Sequence, residues 1–405
     1  MSEMGEEIEY RPIPVKELLK EMKDLSELMI DLAYYSVLYG DVQLANEVFE
    51  LERRVDTLQA LLTMQAALAT RSASDAEKMV TIYAIASAAN KISDAAADIA
   101  RMAMKRIRVP RDFALLMCSE EDFISAVRVP VSDMSLASLF KEAATVVETL
   151  VVRRGKRIYV RPDLDFKLMR DDILVVKGSF EGVQTLLNYM SSSSERWEDH
   201  DCIDTRYASV VNMLVSFRRT SKVCVDLAYV AVLTRSYDVA YKVKELEAYT
   251  DDLLNKVSES IFQEPALSSE EKLGGLWIAI ASENIADAAV DMVEPLLKGL
   301  EPHPILTKVF EEAEERISVI EMDKEDEGKT LAELGYSKKG ISILAVRRED
   351  NWYVLPSKTD FIVKSGDILI VKYFSELEPL IEQLERKEDR AEIIEEIQEE
   401  EWEEE

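Results

Sequence analysis

Asp31-Leu32-Ala33-Tyr34 recurs 195 positions further on as Asp226-Leu227-Ala228-Tyr229. Glu50-Leu51-Glu52 followed by Asp56 recurs at the same shift as Glu245-Leu246-Glu247 followed by Asp251. Asp94-Ala95-Ala96-Ala97-Asp98 recurs 193 positions on as Asp287-Ala288-Ala289-Val290-Asp291. Three landmarks in one order, at nearly one offset, imply that the 405 residues hold two copies of one unit.

The first part of each copy has the helical period. Leu18, Met22, Leu25, Leu28, Met29 and Leu32 recur at three- and four-residue steps, which predicts a long helix from about Val15. Gly40-Asp41 breaks it, and Leu44, Val48, Leu51, Val55, Leu58 and Leu62 carry a second stripe. A third, alanine-rich helix is expected from Ser74-Asp75-Ala76-Glu77, where serine and a glutamate three residues on can satisfy free amides; Ser268-Ser269-Glu270-Glu271 repeats the signal. Three helices joined by short turns give an antiparallel bundle.

The second part of each copy changes period. Val146 to Val152 and Ile158 to Val160 flank Arg153-Arg154-Gly155-Lys156, and Ile173 to Val176 follows, which reads as a hairpin plus a further strand. The counterparts are Ile341 to Val346, Trp352 to Leu355 and Ile368 to Val371. Short helices are expected at Leu136 to Ala143, Val183 to Tyr189, Thr330 to Leu334 and Leu377 to Leu384, giving a small α/β unit. The fold class is therefore α plus α/β, multidomain. Bundles are expected at 15–108 and 203–300, α/β units at 112–192 and 305–386, and an acidic tail at 387–405, with linkers at Ser191 to Asp201 and Gly299 to Pro304. So long a chain is expected to need several separate cores.

Seventy-nine acidic against 49 basic residues, a formal charge of −30, repel a phosphate polyanion, so nucleic acid is not an expected partner. The longest apolar runs, Leu273 to Ala281 and Val223 to Leu233, are shorter than the roughly 18 residues a spanning helix needs. The acidic start from Met1 to Glu9 lacks the features of a secretory signal, and a cytoplasmic location is expected. Cys118, Cys202 and Cys224 are too scattered for a disulfide framework and read as structural thiols; His200 and His303 read as solvated loop residues. With no nucleophile-histidine set and no phosphate-cradling loop, an enzyme is not expected.

On these residues each helical part resembles a PhoU domain, a three-helix bundle of phosphate-signalling proteins whose helices carry an acid, three residues and then Asp. Those positions here are Glu52 and Asp56, Asp94 and Asp98, Glu247 and Asp251, Asp287 and Asp291. Each α/β part resembles the TrkA-C domain, the ligand-binding module of potassium-transport regulators. The second copy carries the likeness through Gly328-Lys329-Thr330-Leu331-Ala332-Glu333-Leu334, the strand Ile343 to Arg347 and Gly366-Asp367-Ile368. The first departs from it, with Met134-Ser135-Leu136 in place of the glycine turn and Asp171-Asp172 in place of Gly-Asp. No G-x-G-x-x-G motif follows a strand, so no nucleotide-binding Rossmann domain precedes TrkA-C here. The resemblance implies a regulatory protein reading a small molecule, with a cyclic dinucleotide among the implied ligands. Its implied partner is a potassium channel or transporter, or a phosphate transporter, reached at the inner face of the membrane. A homodimer is the expected assembly.

The eight acids form a candidate metal set. At about 1.5 Å per residue, Glu52 and Asp56 lie roughly 24 to 30 Å along the second helix from its turn, and Asp94 and Asp98 roughly 28 to 35 Å along the third. The pairs therefore come level, and the second copy repeats the match. Facing carboxylates repel unless a cation intervenes, and hard oxygen donors suit divalent or ferric ions. The opposing reading is a solvated acidic face, which is commonplace on helices. Asp31 and Asp226 are read as capping or hydrogen-bonding residues, with extension of the acidic cluster as the alternative.

Overall fold

A computed structural model describes residues 8–110, 113, 123–130, 132–145, 147–190, 207–354, 356–378 and 381. The expectations for Cys118, His200, Cys202, the 191–201 linker, most of the helix at 377–384 and the acidic tail lie outside these residues. Helices α1 (Val15–Tyr39), α2 (Val42–Ala69) and α3 (Ala73–Met104) pack on one another, as do α6 (Ala208–Thr234), α7 (Tyr237–Gln263) and α8 (Ser269–Leu297). Gly40 ends α1 in the left-handed conformation, and Asp41 caps α2 by accepting from the amides of Gln43 and Leu44. At the matching positions Arg235 takes the left-handed turn and Ser236 caps α7. Ser268 and Glu271 form the predicted reciprocal cap of α8. In α3 the cap is Ser72, bonded by the Asp75 amide, and not Ser74, which lies inside the helix.

Between and after these sets lie two sheet units. The first comprises β1 (Phe123–Arg128), β2 (Met134–Ser135), α4 (Leu136–Ala143), β3 (Glu148–Arg154), β4 (Arg157–Val160), β5 (Lys167–Leu168), β6 (Ile173–Gly178) and α5 (Phe180–Met190). The second comprises α9 (Ile305–Glu312), β7 (Glu315–Glu321), β8 (Ser342–Arg348), β9 (Asn351–Val354) and β10 (Ile368–Phe374). Their four-stranded antiparallel sheets run β1-β6-β3-β4 and β7-β10-β8-β9, the same order twice. The hairpin-plus-strand expectation thus missed one strand per copy, β1 and β7. The expected helix at Thr330–Leu334 is a bridge residue followed by turns, because Thr330 pairs with Ile362 and Glu333 folds back to bond the Thr330 amide.

The same ion pair closes both sheet units. Arg154 makes a two-pronged bond to Asp172 and lies over Tyr159 and Phe166; Arg348 does the same with Asp367 over Tyr353 and Phe361. Asp171 adopts φ 70°, matching Gly366 at 83°, so the first copy makes with aspartate the turn that the second makes with glycine.

The bundles do not have separate cores. α3 packs along α8, and one apolar cluster runs through both helical sets into the inner faces of both sheets, reaching Leu150, Val175, Ile317 and Ile370. Two satellite clusters lie on the outer faces, one around Leu139 and Leu186 and one around Val346 and Leu369. Each sheet is therefore clamped against the helices, and apolar burial of this extent is the main favourable term for the assembly.

Candidate functional site

Where the helical sets and sheets meet, a group of charges is sealed inside. β6 runs apolar through Leu174, Val175 and Val176 and then turns Lys177 inward; β10 does the same with Lys372 after Ile370 and Val371. Lys177 Nζ donates to Asp31 at 2.7 Å, and Lys372 Nζ to Asp226 at 2.7 Å, the same contact in each copy. Asp31 and Asp226 are therefore buried mid-helix ion-pair partners, not caps. Glu315, at the start of β7, lies between the two ammonium groups, 2.5 Å from Lys177 and 3.0 Å from Lys372. The sheet units are thus joined to one another within the chain, as well as each to a bundle.

The halves also cross. Lys23 lies over the Tyr229 ring and Arg218 over the Tyr34 ring, each 4.9 Å from the centroid, so α1 and α6 exchange equivalent cation-aromatic contacts. Lys222 approaches Asp31 at 3.7 Å, and Lys23 bonds both Glu27 and the carbonyl of Glu315. Tyr34 shares a 2.9 Å hydrogen bond with Ser282, whereas the Tyr229 hydroxyl is buried without a hydrogen-bond partner. The residue matching Ser282 in the first copy is Ala89.

Burial and pairing set the protonation of this group. Burial is the largest influence on Glu315, yet Lys177 and Lys372 overcome it and hold the carboxyl well below the ordinary range. For Asp226 and Glu148 burial outweighs their lysine partners and raises the pKa, and Glu27 is pushed up to about 7. Among the described residues, Glu27, Asp226 and Glu315 are three carboxylates whose oxygens lie within 4.8 Å of one another. Lys23 and Lys372 already supply the countercharge there.

The eight predicted acids lie elsewhere, on the helix faces. Glu52, Asp56, Asp94 and Asp98 form one electrostatic patch: Glu52 is raised by burial and then by Asp94 and Asp56, and Asp94 by burial and then by Asp56 and Asp98. Glu247, Asp251 and Asp287 form the other, with a bond between Glu247 and Asp287. Glu283, one turn before Asp287, belongs to it and was missed, although the four-residue spacing continues through it; it is pushed up to about 7 by burial and by Asp287, Asp251 and Glu247. Asp98 turns to Arg101, and Asp291 to Lys91 across the α3–α8 contact. No three of the eight bring ligand oxygens within 4.8 Å among the described residues. Carboxylates that repel one another and hold protons are nonetheless the donor set that a divalent or ferric ion relieves.

One expectation for a single residue changes. His303 is half-buried and its Nδ1 accepts from the Ile305 amide, so it organises the entry to α9 in place of lying in solvent; burial lowers its pKa. Cys224 is buried as expected, its thiol pushed up to about 12. No helix among the described residues is long and apolar enough to cross a membrane.

The PhoU domain family model matches residues 19–103 and the TrkA-C domain model residues 318–375. Among curated proteins none matches. Among solved structures, PhoU from Pseudomonas aeruginosa is 15% identical, over 70% of this chain and 96% of that one, with a TM-score of 0.39. PhoU from Streptococcus pneumoniae, a phosphate transport system regulatory protein, is 12% identical over 70% and 93%, at 0.36. The GsuK RCK domain is 12% identical over 76% and 78%, at 0.18. The chain thus matches a PhoU domain model and a TrkA-C domain model within one polypeptide, a pairing that suggests a regulatory role in transport.

Proposed function

We propose that the protein is a non-enzymatic, cytoplasmic regulator of cation transport, potassium foremost, in which the sheet units read a small molecule and pass the response to the helices. In this reading residues 208–297 are a second PhoU-type unit and residues 123–190 a second TrkA-C-type unit. The observation that carries it is the doubled link from sheet to helix, Lys177 to Asp31 and Lys372 to Asp226, with Glu315 shared between the lysines. A change in either sheet must then be felt at a buried ion pair on α1 or α6, where geometry tolerates little error. The test is a thermal-shift titration with cyclic dinucleotides, with recovery of partners from native membranes. Ligand stabilisation together with co-purification of a cation transporter is the expected result.

A second reading, a metal-binding scaffold acting on phosphate transport, draws on the raised carboxyls of the Glu52/Asp94 and Glu247/Glu283/Asp287 patches. Its signature is stabilisation by ferric or divalent ions that a chelator reverses and that Asp94→Asn with Asp287→Asn removes.

A further inference from the structure

Between the two sheet units lies a cleft of about 410 Å³, walled by the start of β3, the segment after β4, and the ends of β7 and β10. Glu148 and Thr149 form part of its wall and are only 4% and 6% exposed. Neither carboxylate oxygen of Glu148 has a hydrogen-bond partner, and the Thr149 hydroxyl has none. Arg161 lies beside them. Its Nη2 is 3.0 Å from a Glu148 oxygen, in an ion pair that lacks hydrogen-bond geometry, and its Nη1 donates to the Asp24 carbonyl on α1. Nε makes no hydrogen bond, and Nη2 makes that ion pair without one. Arg161 and, at 3.6 Å, Lys177 balance the Glu148 charge, but this carboxylate, the Thr149 hydroxyl and the Nε–Nη2 edge of Arg161 lack hydrogen bonds on one wall; buried polar groups are ordinarily matched, and the three together call for a ligand that supplies those bonds.

The geometry points to a seat for a small zwitterion, an α-amino acid, in this cleft. Its ammonium group meets Glu148 and Thr149, and its carboxylate meets the Nε and Nη2 edge of Arg161, a two-pronged pairing that suits a guanidinium. Leu164 and Phe374 offer apolar surface to its side chain. The volume falls within the roughly 300 to 1,000 Å³ of small-molecule sites. Because Arg161 also holds the Asp24 carbonyl, a ligand on its open edge bears directly on α1.

Among the described residues the other side of the molecule does not repeat the seat. The matching gap on the other side, lined by Gly178, Ser179 and Ser342, has room for about 20 Å³. Ser342 occupies the position of Glu148 at the start of the equivalent strand.

This inference rests on the ligand-sensing reading and names the ligand class. It is tested on the full chain by calorimetry and thermal shift with the twenty free α-amino acids and their N-acetyl and carboxamide forms. At least one free amino acid is expected to bind at one per chain, with both blocked forms at least tenfold weaker. Glu148→Gln and the rim variant Leu164→Trp each weaken it tenfold or more. Absence of binding by every free amino acid, equal binding of the blocked forms, or unchanged affinity in both variants overturns the seat. A response to a cyclic dinucleotide but to no amino acid removes the seat and leaves the sensing role standing.

Discussion

Lys177→Met is the sharpest probe of the buried charge group. The ammonium is fully buried, 2.7 Å from Asp31, 2.5 Å from Glu315 and 3.6 Å from Glu148. Methionine fills much the same space, so the cost is electrostatic more than a cavity. Glu315 keeps Lys372 at 3.0 Å, but the cations that Asp31 retains among the described residues, Arg218 and Lys222, lie at 3.9 and 3.7 Å. Removing one partner of a buried pair strands the other, and about 3–5 kcal/mol of stability should be lost. Urea denaturation followed by circular dichroism measures it. Adding Asp31→Leu removes the stranded carboxylate, and the double variant should recover half of the loss or more, since replacing both partners with apolar groups is often neutral. A loss below about 1 kcal/mol for Lys177→Met, or a double variant whose cost is simply the sum of the singles, would refute the argument that these charges hold sheet to bundle.

Tyr34→Phe should cost about 1–2 kcal/mol, because Ser282 loses its buried partner, while Tyr229→Phe should fall within about 0.5 kcal/mol of the parent or stabilise it; equal losses in one denaturation series would contradict the assignment. Glu283 holds its proton in the folded state up to about pH 7, against an ordinary 4.5, so the folded form binds more protons in that window and stability falls as pH rises through it. Glu283→Gln should remove that part of the slope in a pH series of unfolding curves. Gly274→Ala would place a Cβ 2.2 Å from the Arg108 carbonyl oxygen, where α8 bears on the chain leaving α3, and should cost at least about 2 kcal/mol in the same assay.

The duplication and helical periods were legible because side chains facing one core repeat at a fixed step, and α1 to α3 and α6 to α8 follow those steps. β1 and β7 were not recognised. Neither strand is joined by a short hairpin turn to a sheet neighbour: each pairs only with β6 or β10, a partner far along the chain. Thr330 and Glu333 have the spacing of a helix cap, yet at Thr330–Leu334 the bonds they make close a turn in place of the expected helix. The acid patches were found from recurrence in both copies and matched heights along the helices, and Glu283 was lost because its counterpart in the first copy is Asn90, so repetition gave no signal there. The buried charge group was hidden for a different reason. Lys177 and Glu315 sit at or next to strand ends and Lys372 two residues from one, where a charged residue ordinarily marks the way out to solvent, and the packing of four units turns them inward.

Glu315 shared by Lys177 and Lys372 ties the two sheets of a single polypeptide to one another. Partners on separate molecules meet in proportion to how many molecules there are, and they part on dilution. Here the tether fixes a constant local concentration whatever the cell makes, so abundance sets only the number of assembled units and never the fraction that is assembled.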